Sequence, residues 1–208
     1  MKKFRDFIEE MAHNIGDASY SRLNLEPKFR ESKYETNSKF EHHSYPLPED
    51  NSVALTKRVE GKNTTYSTND NDKKEVLHYS NIKHNGPTES LPFENEEQHI
   101  VERVKGGKLP PEYATNMIYD HFKQSNIPLR SSDAQYRHGH NMWRKLTHKA
   151  LSDGHHVYYH DGKTLHKVTK QNIDDSLDSS FGKTEVKFRK ELTPKYEDRH
   201  IILSKKEL

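Results

Sequence analysis

The stretch that decides the fold is residues 110–130, PPEYATNMIYDHFKQSNIPLR. Its two opening prolines suit the start of a helix, because the N–H groups of the first turn have no intrahelical partner and proline lacks one. Apolar side chains then recur at helical spacing, for example at Tyr113, Met117 and Phe122, which predicts a helix of about three turns. The last four residues, IPLR, predict a short strand. A helix followed at once by a strand indicates a domain that mixes both elements.

Three strands are predicted before this stretch. Residues 53–59 alternate apolar and polar side chains, residues 64–68 are rich in β-prone Thr, and residues 75–82 form a third run. Turn-forming residues such as Gly61 separate these runs, as they do in hairpins. The pattern predicts an antiparallel meander, and residues 98–104 are a candidate fourth strand.

Helix and strand signals continue after the stretch. Ser132 and Asp133 suit the N-cap of a second helix, and Gly154 ends it. Strands are predicted at residues 156–159 and 164–168, joined by an Asp-Gly hairpin turn. The order of a meander, a fourth strand, helix, strand, helix and hairpin predicts an α+β fold with a mixed sheet.

This order defines one predicted domain at residues 51–170. Residues 17–50 are predicted to be a polar, partly ordered linker, because Ser and Asn are frequent there and apolar periodicity is weak. Residues 171–208 are predicted to be a charged C-terminal extension. Its one late apolar run, Ile201-Ile202-Leu203, is predicted to pair as an edge strand.

Composition excludes several classes of protein. The 208 residues include 34 Lys and Arg against 32 Asp and Glu, a net charge of +2, so the strongly basic surface of non-specific nucleic-acid binders is excluded. There is no cysteine, which excludes disulfides, thiolate metal sites and a cysteine nucleophile. No run of ten consecutive apolar residues occurs, so neither a transmembrane helix nor a secretory segment is expected, and no membrane is predicted as a partner.

The N-terminal segment predicts a short amphipathic helix over residues 1–16. Its apolar residues lie on one stripe at helical spacing, and Gly16 ends it. The residues on the stripe are Phe4, Phe7, Ile8, Met11 and Ile15.

The first ten residues, MKKFRDFIEE, resemble the capsid-targeting peptide of internal head proteins of T-even-type tailed phages. Ile8-Glu9-Glu10 matches the Ile/Leu-x-Glu site that the prohead protease cuts in those peptides, and the resemblance implies cleavage between Glu10 and Met11. It also implies two partners, the prohead scaffold and the prohead protease. The implied location is the inside of the phage head and then the host cytoplasm.

A second pattern lies in the two predicted helices and the strand between them. It is carried by Ala114, Met117 and Tyr119 in the first helix and by SDAQYRHGHNMWRKL at residues 132–146. Together these residues resemble the acetyltransferase (GNAT) fold in the form found in many phage proteins. The final hairpin lies where the last strands of that fold are expected.

The chain departs from this family at the loop before the first helix. In the enzymes the strand before that helix ends in an Arg/Gln-x-x-Gly-x-Gly/Ala loop, whose backbone N–H groups bind the diphosphate of coenzyme A. Here the stretch is KGGKLPPEYA at residues 105–114, so two prolines and Tyr113 replace the glycines. The candidate acetyl-CoA-binding residues are Lys105, Gly106, Gly107 and Lys108. They are predicted to form a phosphate-binding nest that is displaced from the usual position. The alternative is that Gly106 and Gly107 form a simple turn between strand and loop.

Catalysis in this fold needs a base for the attacking amine and an acid for the leaving thiolate. Glu97 and Glu102 on the fourth strand are the candidate bases, and Tyr136 is the candidate acid. Asp133 is interpreted as a helix cap, and Trp143 as a core residue.

Histidine is frequent, with 15 in the chain. Several lie close together in sequence and offer imidazoles to a transition metal, but no acidic ligand pattern accompanies them. A solvated histidine-rich surface is the favoured interpretation, and no metal site is predicted. The residues concerned are His138, His140, His155, His156 and His160.

Two functions follow from these patterns. The first is a protein packaged in the capsid and delivered with DNA, whose degenerate GNAT-like domain binds or inhibits an unidentified host protein. The alternative is an active acetyl-CoA-dependent N-acetyltransferase that modifies a host amine. The small net charge predicts weak contact with the packaged phage DNA.

Overall fold

The computed structural model describes residues 52–73, 75–86, 91, 93, 95–104, 109–132, 137–181 and 199–208. Several predictions lie outside the described residues. They are the N-terminal helix, the cleavage site Ile8, Glu9, Glu10 and Met11, the linker at residues 17–50, the phosphate nest at Lys105, Gly106, Gly107 and Lys108, and Tyr136.

Three helices and eight strands form the described part of the chain. None of these helices is long and apolar enough to cross a membrane. In chain order the elements are β1 (Val53–Glu60), β2 (Asn63–Asp70), β3 (Glu75–Asn85), β4 (Glu96–Val104), α1 (Tyr113–Gln124), β5 (Leu129–Arg130), α2 (Arg137–Ser152), β6 (His156–Asp161), β7 (Leu165–Val168), α3 (Ile173–Phe181) and β8 (Arg199–Ser204).

The strands form one mixed sheet in the order β1-β2-β3-β4-β5-β8-β6-β7. β1 and β2 pair antiparallel, whereas β4 and β5 pair parallel, as expected when a helix connects two neighbouring strands. The remaining described pairs, β5 with β8, β6 with β8 and β6 with β7, are antiparallel. The α+β class with a mixed sheet, predicted from the sequence, is confirmed.

The C-terminal strand β8 lies inside the sheet, between β5 and β6, so the prediction of an edge strand is wrong. Leu203 is paired with Leu129 on one side and with Val157 on the other. Ile201, Ile202 and Leu203 are all fully buried. A continuous apolar run of this kind is typical of a strand that is covered on both faces, which an edge strand at the surface is not.

α3 lies in the segment predicted to be a charged extension. Ile173 and Leu177, four residues apart, are buried and form the apolar side of this nine-residue helix. Asp174 and Asp175 in its first turn favour a helix N-terminus, because the helix dipole is positive there. The helix was not predicted, because Ile173 and Leu177 alone form too short an apolar stripe among the many charged residues of this segment.

The chain divides into two compact units, Met1–Ile82 with Val101–Met117 (unit 1) and Lys83–Ile100 with Ile118–Leu208 (unit 2). Each unit has its own buried apolar residues. Those of unit 1 include Val53, Tyr66, Val76, Leu77, Ile82, Tyr113 and Met117. Those of unit 2 include Phe122, Leu129, Trp143, Leu146, Val157, Leu177 and Ile201.

Candidate functional site

The loop before α1, in unit 1, ends in a tight turn. The backbone N–H of Tyr113 donates to the carbonyl of Pro110 over 3.1 Å, and that of Asn116 donates to the carbonyl of Glu112 over 2.8 Å. Glu112 has a φ of 65°, a left-handed conformation that is uncommon outside glycine. The first N–H group of α1 is therefore bound to the turn itself, and the two prolines before it carry none.

The side chain of Tyr113 is buried inside unit 1. Its hydroxyl is 2.8 Å from the Thr68 hydroxyl of β2, and its ring meets the His78 ring of β3 edge-on, with centroids 5.6 Å apart. The Tyr113 side chain, which was expected to add bulk at the loop, therefore lies in the packed interior of unit 1.

Among the predicted catalytic residues, Glu97 has a described side chain and forms an ion pair with His121. Glu97 Oε2 is 2.8 Å from His121 Nε2, and both side chains are nearly buried. Burial acts to raise the pKa of Glu97, but the hydrogen bond and charge of His121, with smaller contributions from Ser125 and His84, outweigh it and lower the pKa. Glu102 lies on β4, and its side chain is outside the described ones.

A second polar group in unit 2, the Arg130 cluster, consists of Glu96, Gln98, Arg130 and His200. Arg130 Nε donates to Glu96 Oε1 over 2.6 Å, and Nη2 donates to Gln98 Oε1 over 3.0 Å. Nη1 donates to His200 Nε2 over 2.8 Å. Asn85 adds a 3.3 Å hydrogen bond to the same Glu96 oxygen. One guanidinium thus connects β4, β5 and β8.

Strand register brings the cluster together. Gln98 pairs with Arg130 across β4 and β5, and Arg130 pairs with Ile202 across β5 and β8. Because side chains alternate between the faces of a strand, Glu96 and Gln98 share one face with Arg130, and His200 shares it with Ile202. The cluster was not predicted from the sequence, because β8 was predicted to be an edge strand. The available signal was the presence of Glu96 and Gln98 two residues apart, a spacing that places both on one face of a strand.

His200 is held in its neutral form. Its Nδ1 lies 3.0 Å from the carbonyl oxygen of Ser131, so Nδ1 carries the proton and Nε2 accepts from Arg130. Burial and the positive charge of Arg130 lower the pKa of His200 to about 3. The His160 ring stacks against it at 6.4 Å with an interplanar angle of 13°.

The Arg130 cluster can bind one further hydrogen-bond donor. Glu96 Oε2 is buried and has no hydrogen-bond partner among the described residues, while Oε1 is held by Arg130 and Asn85. His200, with its low pKa, is a poor proton acceptor at neutral pH. The geometry therefore supports a connecting and binding role for this cluster better than proton transfer.

Three of the clustered histidines, His140, His155 and His160, meet different partners in the structure, and the side chain of His138 lies outside the described ones. His140 faces Asp178 over 3.6 Å, His155 meets the Phe122 ring edge-on, and His160 stacks on His200. Within the described part of the chain, no group of three His, Asp or Glu side chains is placed to hold a metal ion. His140 and His160 are buried, so the prediction of a solvated histidine surface is wrong for these two.

Comparison of the chain with protein-family models, with curated proteins and with solved structures found no match. Function must therefore be inferred from the residues and their geometry.

Proposed function

We propose that this chain is a phage internal head protein, delivered with the DNA, whose GNAT-like domain binds and inhibits a host protein without acyl transfer. The capsid-targeting resemblance of residues 1–10 supports the delivery. The order of elements from β1 to β7, four strands, helix, strand, helix and two strands, supports the resemblance in fold.

The observation that carries the non-catalytic role is the backbone before α1. A coenzyme A diphosphate binds N–H groups that point outward from the start of a helix. Pro110 and Pro111 have no N–H, and the N–H of Tyr113 is bound to the Pro110 carbonyl. Three of the four residues 110–113 thus offer no donor to a diphosphate.

The state of Glu97 supports the same role. A general base works best when its pKa lies near the working pH. Burial acts to raise the pKa of Glu97, but the contacts with His121, Ser125 and His84, of which His121 is the largest, together outweigh it and lower the pKa. An almost buried carboxylate that is already paired is poorly suited to accept a proton from a substrate amine.

Calorimetric titration with acetyl-CoA tests the loss of the acyl-CoA site. The wild-type protein is expected to show no binding heat and no increase in melting temperature at millimolar ligand, because a ligand that binds the folded state must stabilise it. The variant P110A/P111A, which restores two backbone N–H groups, is titrated with acetyl-CoA in the same way as the matched comparison for the wild type. Saturable binding by the wild type would contradict the proposal and support the alternative, an N-acetyltransferase that modifies a host amine.

Mass spectrometry of virions tests the delivery. The mature protein is expected to begin at Met11. Glu10→Gln should abolish this processing, because Glu10 is the required acid of the Ile/Leu-x-Glu site, and Glu9→Gln is the control because the middle position of that site is variable. If every wild-type copy in the virion retained residues 1–10, the proposed capsid targeting by this segment would be excluded.

A further inference from the structure

Two of the buried polar groups of unit 2 that have no partner among the described residues lie on α2. They are the indole Nε1 of Trp143 and the hydroxyl Oγ1 of Thr147. Both residues are fully buried. A buried donor without an acceptor loses its bond to water and gains nothing in return, so native proteins rarely leave such groups unsatisfied.

The two groups lie on the same face of α2. Trp143 and Thr147 are four residues apart in this helix, a spacing that makes side chains neighbours. The ring of His99 from β4 lies beside the Trp143 ring, with centroids 6.2 Å apart and an interplanar angle of 61°. The Trp143 ring therefore lies where α2 faces β4, and Thr147 is about one turn further along the same face of α2.

We infer that an internal water molecule binds between Trp143 Nε1 and Thr147 Oγ1. The indole N–H can only donate, and the hydroxyl both donates and accepts. A water oxygen accepts from Nε1, and one water hydrogen is donated to Oγ1. Buried waters occur where at least two otherwise unsatisfied polar groups converge. This site is independent of the proposed host-directed function.

The hydration site explains why these polar groups are present in the α2 core. Neighbouring positions of the same helix face, Leu146 and Ala150, are apolar and fully buried. A valine at position 147 would have almost the shape of threonine and no hydroxyl to satisfy. With water bound, the hydroxyl stabilises the fold; without it, the hydroxyl destabilises the fold, and this difference in sign can be measured.

Trp143 is the one tryptophan of the chain, so it gives a single indole N–H resonance and a single emission spectrum. The wild-type protein is expected to show cross-relaxation between this proton and water. Thr147→Val should lose that signal, shift the emission maximum to shorter wavelength and lower the urea midpoint. Thr147→Ser, which retains the hydroxyl, should keep the wild-type emission maximum and the cross-relaxation.

Absence of the cross-relaxation in the wild type would overturn the inference, and this measurement needs no variant to fold. Because hydroxyl exchange can relay such a signal, the stability of Thr147→Val is the second criterion. If the urea midpoint of Thr147→Val is unchanged or higher than that of the wild type, the Thr147 hydroxyl of the wild type is unsatisfied and not hydrated. This result equally overturns the inference.

Discussion

Arg130 Nη1 donates a 2.8 Å hydrogen bond to Nε2 of His200, a residue 70 positions later in the chain. Because Arg130 also binds Glu96, this contact ties the C-terminal strand to β4 and β5. The contact requires a neutral imidazole, since a protonated Nε2 has no lone pair to accept with. The stability of unit 2 should therefore depend on pH through His200.

The first prediction concerns this pH dependence. The pKa of His200 is lowered to about 3, below its unfolded value of about 6.5, so between these values the unfolded state binds more protons. Its contribution to stability is complete above pH 6.5 and declines as the pH falls toward 3, by about 1.4 kcal/mol per pH unit. His200→Gln should remove this slope from the free energy of unfolding, measured with urea between pH 7.5 and pH 5.

His148→Gln is the matched control for this series. His148 is exposed on α2, so its replacement removes a histidine without removing a buried one. Its pH slope should equal that of the wild type. An equal slope for His200→Gln and the wild type would show that His200 takes up a proton without cost.

The second prediction concerns the buried ion pair of Arg130 with Glu96, whose side chains are 12% and 2% exposed. Arg130→Met should destabilise the protein by about 3–5 kcal/mol, because it leaves a buried carboxylate without its counter-ion. Adding Glu96→Gln should cost little further, since the unpaired charge is then gone. Urea unfolding of both single variants and the double variant measures the coupling. Strictly additive losses would mean that the two charges do not interact.

The third prediction concerns Glu97. Burial raises its pKa, and the contacts with His121, Ser125 and His84 together lower it by more. Because His121 makes the largest lowering contribution, His121→Gln should raise the pKa of Glu97. Ser125→Ala, which removes a smaller contribution, should raise it less. A carbon-13 NMR titration of the Glu97 carboxyl measures both shifts. If His121→Gln left the pKa unchanged, the ion pair would not hold Glu97 ionised.

The same ion pair gives Glu97 a role in acid stability. A carboxyl with a lowered folded pKa stabilises the protein above its unfolded pKa, and this stability is lost as the pH falls through the folded pKa. Glu97→Gln should therefore reduce stability at pH 7 and flatten the acid limb of the unfolding curve. Far-ultraviolet circular dichroism at falling pH follows this limb.

The fourth prediction concerns β8. Deletion of residues 199–208 removes the strand between β5 and β6 and should abolish the folding of unit 2, because both neighbours lose their pairing. Deletion of residues 205–208 alone should be tolerated, since it leaves β8 intact and removes mainly exposed contacts such as Lys167 with Glu207. Amide hydrogen exchange in α2 and β6 distinguishes the outcomes. Retained protection after the longer deletion would mean that β8 is dispensable.

The sequence predicted the elements that local pattern determines. The β1–β2 hairpin turns at Gly61, whose φ of 54° suits glycine, and the alternating residues around it revealed both strands. The helix of the opening stretch begins at Tyr113, two residues after Pro111, and ends at Gln124, so the prolines lie in the turn before the helix and not in its first turn. These signals lie within a few residues of the structure that they specify.

Features that depend on distant pairing were not predictable in this way. Glu97 was identified as a polar strand residue, but its partner His121 lies 24 positions away, and the interaction determines its protonation. His200 was not predicted to be a site residue, because its hydrogen-bond partners Arg130 and Ser131 are 70 and 69 positions away in the sequence. Nothing in the local composition shows which strand a late apolar run will join.

The interior position of β8 has a consequence for how the protein reaches its native state. β6 and β7 can form a hairpin from adjacent residues, and β4, α1 and β5 are also near neighbours in sequence, but the slot between β5 and β6 is filled only by a segment far along the chain. Closing so large a loop is slow. A chain in which β8 is not yet in place leaves the edges of β5 and β6 that pair with it unpaired, and unpaired strand edges can accept a β-strand from another molecule.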